Sequence, residues 1–209
     1  MTEQKHLYIV FTSTNSGMGK LIRFFTHNKY NHASITLDEN LGMLNSFARH
    51  HKNVAFYGGF VRESCLRYDG ALSKVAKISI TDEQYDRLKE HFESMACDGG
   101  YIYNTLSAAT NIIRKKVRVK KAYTCVEFVV EALDLLAVDK RICAGNFYSV
   151  KDLEDIFSDR VIYEGEFPKW CENAVWGNDD YDTTLTFFKG SKSAIRAHLR
   201  LFKRLLSAD

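Results

Sequence analysis

Y-T-C-V-E-F-V, Tyr123 to Val129, opens the segment on which the fold of this chain turns. From Thr124 to Ala137 the apolar residues Val126, Val129, Val130, Leu133 and Leu136 recur at the period of a helix face. They predict a buried helix with Cys125 in its first turn. A cysteine is a nucleophile only as thiolate, and a helix N-terminus with a histidine nearby lowers its pKa. The unpaired N–H groups of that turn also suit the oxyanion of a tetrahedral intermediate. Most free cysteines are small buried hydrophobes, however, so the local pattern alone makes Cys125 a candidate and no more.

Upstream, Leu7 to Thr12 (LYIVFT) is an apolar β-rich run, Ser13 to Gly19 a turn and Lys20 to Thr26 a short helix. His32 to Leu37 (HASITL) alternates polar His32, Ser34 and Thr36 with apolar Ala33, Ile35 and Leu37, which predicts a half-buried strand. Asp38 to Gly42 turns the chain into a second strand, Met43 to Arg49, and the two make a β-hairpin. Lys74 to Ile80 (KVAKISI) alternates again. Thr81 and Gln84 have capping-box spacing, and Tyr85, Leu88, Phe92 and Met95 follow at helical spacing, so Thr81 to Ala96 reads as an amphipathic helix ended by Gly99-Gly100. Beyond the Cys125 helix, Ser149 with Asp152 caps a short helix to Phe157, and Arg160 to Tyr163 is the last core strand.

With 209 residues and 45% apolar content, the chain can bury one sizeable core. That core closes near Gly165, and the only proline, Pro168, marks the end of it. Residues 1–166 are therefore read as one domain and 167–209 as an appended extension. The extension holds Trp170, Trp176 and the acidic run Asp179-Asp180-Tyr181-Asp182. From Ser191 to Ser207 it carries Ile195, Leu199, Phe202 and Leu206 on one helical face, with Lys192, Arg196, Arg200, Lys203 and Arg204 around it. The expectation is a helix packed on the core and anchored by the tryptophans. A basic amphipathic helix also suits peripheral contact with an anionic membrane through residues 191–207.

A formal net charge of +3 and a pI near 8.5 fall short of the footprint of a dedicated nucleic-acid binder, so no nucleic-acid partner is expected. Five scattered cysteines without a C-x-x-C pair suggest reduced thiols, with neither a disulfide framework nor a zinc site. Met1 to His6 lacks the features of a signal peptide, and no run of about 20 apolar residues occurs to span a membrane. The expectation is a cytoplasmic protein without cofactor or metal. T-N-S-G-M-G-K-L, Thr14 to Leu21, lacks the first glycine and the Ser/Thr of a phosphate-binding loop. His6, His27, His50, His51, His91 and His198 read as surface residues, and the basic run Arg114 to Lys121 as a solvated face.

Five segments occur together in order: K-Y-N-H-A-S-I-T-L-D (Lys29 to Asp38), N-S-F-A-R (Asn45 to Arg49), G-G-F-V-R-E (Gly58 to Glu63), Y-I-Y-N (Tyr101 to Asn104) and Y-T-C-V-E-F-V. This set resembles the permuted papain-like families related to NlpC-type amidases, in particular YiiX/YaeF-like proteins, with lecithin:retinol acyltransferase-like enzymes as more distant relatives. The resemblance spans roughly residues 7 to 165. It implies an α+β, circularly permuted papain-like fold, with an antiparallel sheet packed against helices that include the nucleophile helix. It implies Cys125 as nucleophile and His32 as base. For the residue that orients the imidazole it offers Ser46 by motif position, with Asn45 beside it and Glu63 as a possible carboxylate nearby. A tyrosine upstream of the cysteine helps form the oxyanion site in such families, and Tyr101 is the match, ahead of Tyr103. The activity implied is hydrolysis of an amide or peptide bond through an acyl-enzyme. Lipid acyl hydrolysis or transfer, and an inactive binding module of the same fold, are the alternatives.

Overall fold

The structure is a computed structural model that describes residues 4–14, 28–167, 179, 181 and 183–207. The helix expected at Lys20 to Thr26 and the anchoring expected of Trp170 and Trp176 lie outside these residues.

The described strands are β1 (Lys5–Thr12), β2 (His32–Thr36), β3 (Met43–Arg49), β4 (Gly58–Ser64), β5 (Leu72–Ile80), β6 (Ile102–Tyr103), β7 (Ala122–Tyr123) and β8 (Val161–Glu166). The α-helices are α1 (Asp82–Cys97), α2 (Thr105–Thr110), α3 (Cys125–Leu135), α4 (Val150–Ile156) and α5 (Phe187–Leu206). Six strands form one antiparallel sheet in the order β4-β3-β2-β1-β5-β8, and β6 pairs in parallel with β7. The α+β class and the antiparallel sheet agree with the sequence reading.

The run LYIVFT is apolar throughout because β1 is central and covered on both faces. Leu7, Ile9 and Phe11 pack with Ala33, Ile35 and the helices α1 and α3. Tyr8 and Val10 face the other way, toward Leu44, Tyr68, Val75 and Phe167. β2 is likewise buried along its whole length, where its alternation predicted a half-buried strand. Its polar residues are covered too, because they meet other polar groups there instead of water.

Helix α3 is fixed on the sheet by Phe128, whose ring centroid lies 5.3 Å from Phe47, 5.6 Å from Phe60 and 5.8 Å from Phe92. Those rings belong to β3, β4 and α1, so one fully buried side chain joins the sheet to two helices. α1 starts at the expected capping box of Thr81 and Gln84, and Asp98, one residue before the glycines, is its C-cap.

Gly58 to Glu63 stands out in the sequence as a motif, and the structure places it in strand β4, Gly58–Ser64. Its two glycines are required by close approach: a Cβ at Gly58 would lie 2.3 Å from the Ala48 carbonyl oxygen, and one at Gly59 2.5 Å from that of Tyr101.

The extension ties back to the core at several points. Phe167 N–H donates to the Ala71 carbonyl, Lys52 N–H to that of Tyr181, and Asn53 Nδ2 to that of Leu185. Helix α5 begins at Phe187, four residues before its expected start, and packs through Leu201 on Ile102, Val119 and Ala122. The face expected to pack does not. Ile195, Leu199, Phe202 and Leu206 are 60%, 64%, 47% and 80% exposed, whereas Gly190 and Leu201 are buried. The helical period holds, but Gly190, Ala194, Ala197, Leu201 and Leu205 sit against the core and the larger stripe faces out.

Cys97, Cys125 and Cys143 are free thiols, and Cys65 is disulfide-bonded, which corrects the expectation of reduced thiols at that position. Among the described residues there is no cluster able to hold a metal ion, and no helix is long and apolar enough to cross a membrane.

Candidate active site

Local sequence sets the position of Cys125. Thr124 is the N-cap of α3: its Oγ1 accepts the Glu127 N–H at 3.2 Å, and Glu127 Oε2 accepts the Thr124 N–H at 2.7 Å. Ser107 of α2 donates its hydroxyl to the same Glu127 carboxylate, so the buried acid clamps the start of the helix from two sides. The Phe128 N–H is taken by the Thr124 carbonyl. Among the described residues, the N–H groups of Cys125 and Val126 are left without an acceptor, which is the donor pair an oxyanion would need.

His32 opens β2 opposite Thr12 of β1 and is 8% exposed. Its Nε2 lies 3.2 Å from Glu63 Oε2 and 3.2 Å from Ser34 Oγ. Glu63 Oε2 also accepts the Ser34 hydroxyl at 2.9 Å and the Tyr68 hydroxyl at 2.7 Å, while Arg67 Nη1 approaches Oε1 at 3.4 Å. Arg67 in turn forms a two-point ion pair with Asp179. The Tyr68 ring lies along the imidazole, centroids 6.0 Å apart and planes 25° from parallel. The imidazole is therefore held by a carboxylate whose two oxygens are both fixed by other donors.

Burial by itself would push the His32 pKa down. The Glu63 carboxylate and then the Cys125 sulfur, which lies within side-chain hydrogen-bonding reach, outweigh burial and raise it to about 10. Burial would likewise push the Glu63 carboxyl up, but His32, Arg67 and the Tyr68 hydrogen bond hold it at about 2. Imidazolium and carboxylate are thus both charged across the neutral range. Burial raises the Tyr103 pKa above its ordinary value, with the charges of Cys125 and Glu127 adding to it, so its hydroxyl stays a neutral donor.

No family model, curated protein or solved structure matches this chain.

Of the residues singled out in the sequence, Cys125 and His32 are brought together, although they are 93 positions apart in the chain. Ser46 is not brought to the imidazole: it is fully buried and its hydroxyl has no partner among the described residues. It lies on β3 opposite Val61. Glu63, one strand further out, has the reach and makes the contact. Asn45 points elsewhere, with Nδ2 donating to the Ile35 carbonyl at 3.4 Å.

Tyr101 is also displaced from its expected role. Its ring packs edge-on against Phe47 and stacks with Tyr123, and Lys121 Nζ lies 5.7 Å from its centroid. The parallel register explains this. Tyr103 pairs with Tyr123, two residues before the nucleophile, whereas Tyr101 precedes the Ile102–Ala122 pair and lies further from Cys125 along the ladder.

Several site residues escaped the sequence reading. Glu127 had a visible signal, because T-C-V-E at Thr124 to Glu127 is the same capping-box pattern as Thr81 to Gln84. Ser34 was legible as a residue on the same strand face as His32. Tyr68, Arg67 and Asp179 had no local signal, since their contacts with the site are purely tertiary.

Proposed function

We propose that the chain is a cysteine hydrolase of acyl compounds, built as a circularly permuted papain-like enzyme of NlpC type. The observation that carries this is the single imidazole of His32, joined on one side to a buried Glu63 and on the other to a thiol at a helix N-terminus. The proton that Cys125 gives up resides on His32, and Glu63 stabilises the resulting imidazolium. With Nε2 turned to Glu63, Nδ1 is the ring nitrogen left for the sulfur. The thiolate attacks the carbonyl carbon of an amide or peptide bond. The Cys125 and Val126 N–H groups and the Tyr103 hydroxyl then stabilise the oxyanion. His32 returns its proton to the departing amine, and water, deprotonated by the same imidazole, cleaves the acyl-enzyme.

A lipid ester or thioester is the second candidate substrate, favoured by the outward apolar stripe of α5. The inactive binding module is the less favoured reading, because Glu63 offers the imidazole a carboxylate.

Iodoacetamide at pH 6 provides the test, because an ordinary thiol of pKa about 8.5 is almost fully protonated there. Cys125 is expected to alkylate faster than the free, exposed Cys97 and Cys143, and His32→Ala is expected to remove that advantage. Equal labelling of all three thiols in the unmodified protein would sink the proposal.

A further inference from the structure

Helix α5 is bound to the core by one face only. Gly190, Leu201 and the half-buried Ala194, Ala197 and Leu205 lie on that face. Arg204 Nη2 fastens its end to the Gly100 carbonyl at 2.8 Å, and Thr105 Oγ1 meets His198 Nε2 at 3.2 Å. On the opposite side Phe188, Ile195, Leu199, Phe202 and Leu206 recur at intervals of seven, four, three and four residues and form one exposed stripe along the helix.

The charges beside that stripe all have one sign. Lys189, Lys192, Arg196, Arg200 and Lys203 are exposed and, at helical spacing, fall along one border of it. From Thr183 to Ser207 the sequence contains no Asp or Glu. A stripe meant for a second protein helix would be expected to carry charges of both signs at its rim, to set partner and orientation. An apolar face bordered only by cations instead complements a surface that is apolar within and anionic outside.

We infer that α5 is a docking element for an anionic phospholipid bilayer, lying in the plane of the interface with its stripe among the acyl chains and its lysines and arginines at the headgroups. The core-facing side stays where it is, so docking needs no unfolding. This inference is independent of the acyl chemistry: Cys125→Ala is expected to dock as the unmodified protein does.

Co-sedimentation of the full chain with vesicles tests it. Strong binding is expected to phosphatidylcholine–phosphatidylserine vesicles and weak binding to phosphatidylcholine alone. Each cation near an anionic surface changes the partition coefficient about five-fold, so Lys192→Glu/Arg196→Glu/Arg200→Glu is expected to lower binding about 100-fold or more. Leu199→Asp/Phe202→Asp is expected to remove binding while leaving the circular dichroism spectrum and the rate of Cys125 labelling unchanged, because neither residue packs on the core. No binding to the anionic vesicles, equal binding to both compositions, or binding unchanged in the Leu199→Asp/Phe202→Asp variant would each overturn the inference. So would light scattering that finds a dimer broken by the same variant in place of vesicle binding, since the stripe would then belong to a second copy.

Discussion

Helices α3 and α5 have comparable sequence patterns and opposite surroundings. Both repeat apolar residues at helical spacing. In α3 nearly every side chain is buried, the start is locked by a reciprocal cap, and the first residue is Cys125. In α5 the N-cap Thr186 makes no side-chain cap bond, and the apolar stripe lies in solvent. Amphipathicity says that a helix has two faces; what occupies the space beside each face decides which one is buried. Phe47, Phe60 and Phe92 converge on α3, whereas α5 meets the core through one face, on β6, β7, the Thr105 end of α2 and Val54.

The strongest way to break this comparison is to remove the charge that couples the α3 terminus to the sheet. Glu63→Gln is expected to lower the acylation rate of Cys125 about 100-fold, the scale of a lost acid–base partner. It is also expected to move the alkaline limb of the pH–rate profile from near 10 down toward the ordinary histidine value of 6.5. Ser46→Ala is expected to leave that limb in place. The same shifts fix the sign for stability. His32 is raised, so its contribution is full below 6.5 and is lost as pH rises through about 10. Glu63 is lowered, so its contribution is full above 4.5 and is lost as pH falls through about 2. Urea unfolding at a series of pH values, compared between the protein and Glu63→Gln, checks both ends.

Packing gives the next contrast. Phe128→Ala is expected to destabilise the fold by about 3–5 kcal/mol, since it opens a cavity among three rings. Leu199→Ala on the outward face of α5 is expected to change stability by no more than about 0.5 kcal/mol. Denaturant midpoints at constant slope measure both, and comparable losses would mean that the α5 stripe is covered in solution. The smallest effect on the α3 side is that of its cap: Thr124→Ala is expected to cost about 1 kcal/mol. A parallel fall in Cys125 labelling would show that the cap also aims the nucleophile.

The order of β1, β2, β3, β5, α1, α3, α4 and β8 was legible because each carries a local signal: an alternating run, a capping box or an apolar period. β4 was not, because two glycines and the short run Phe60 to Glu63 give too few alternations to separate a strand from a loop. The pair Cys125 and His32 was visible as motif residues. The choice among their candidate partners was not, because Glu63 reaches the imidazole across β3, and register, not sequence distance, determines which side chain arrives.

The sequence alone determined that Cys125 would begin a helix, since Thr124, Glu127 and the apolar residues that follow act over a few positions of backbone. It determined too that α5 would be amphipathic and basic. Only the tertiary structure decided that the imidazole would meet a carboxylate in place of a serine, that Tyr103 and not Tyr101 would pair with Tyr123 just ahead of the nucleophile, and that the larger apolar face of α5 would look outward. Those outcomes depend on strand register and on which surfaces find a complementary neighbour, and both are properties of the assembled sheet and not of any one segment.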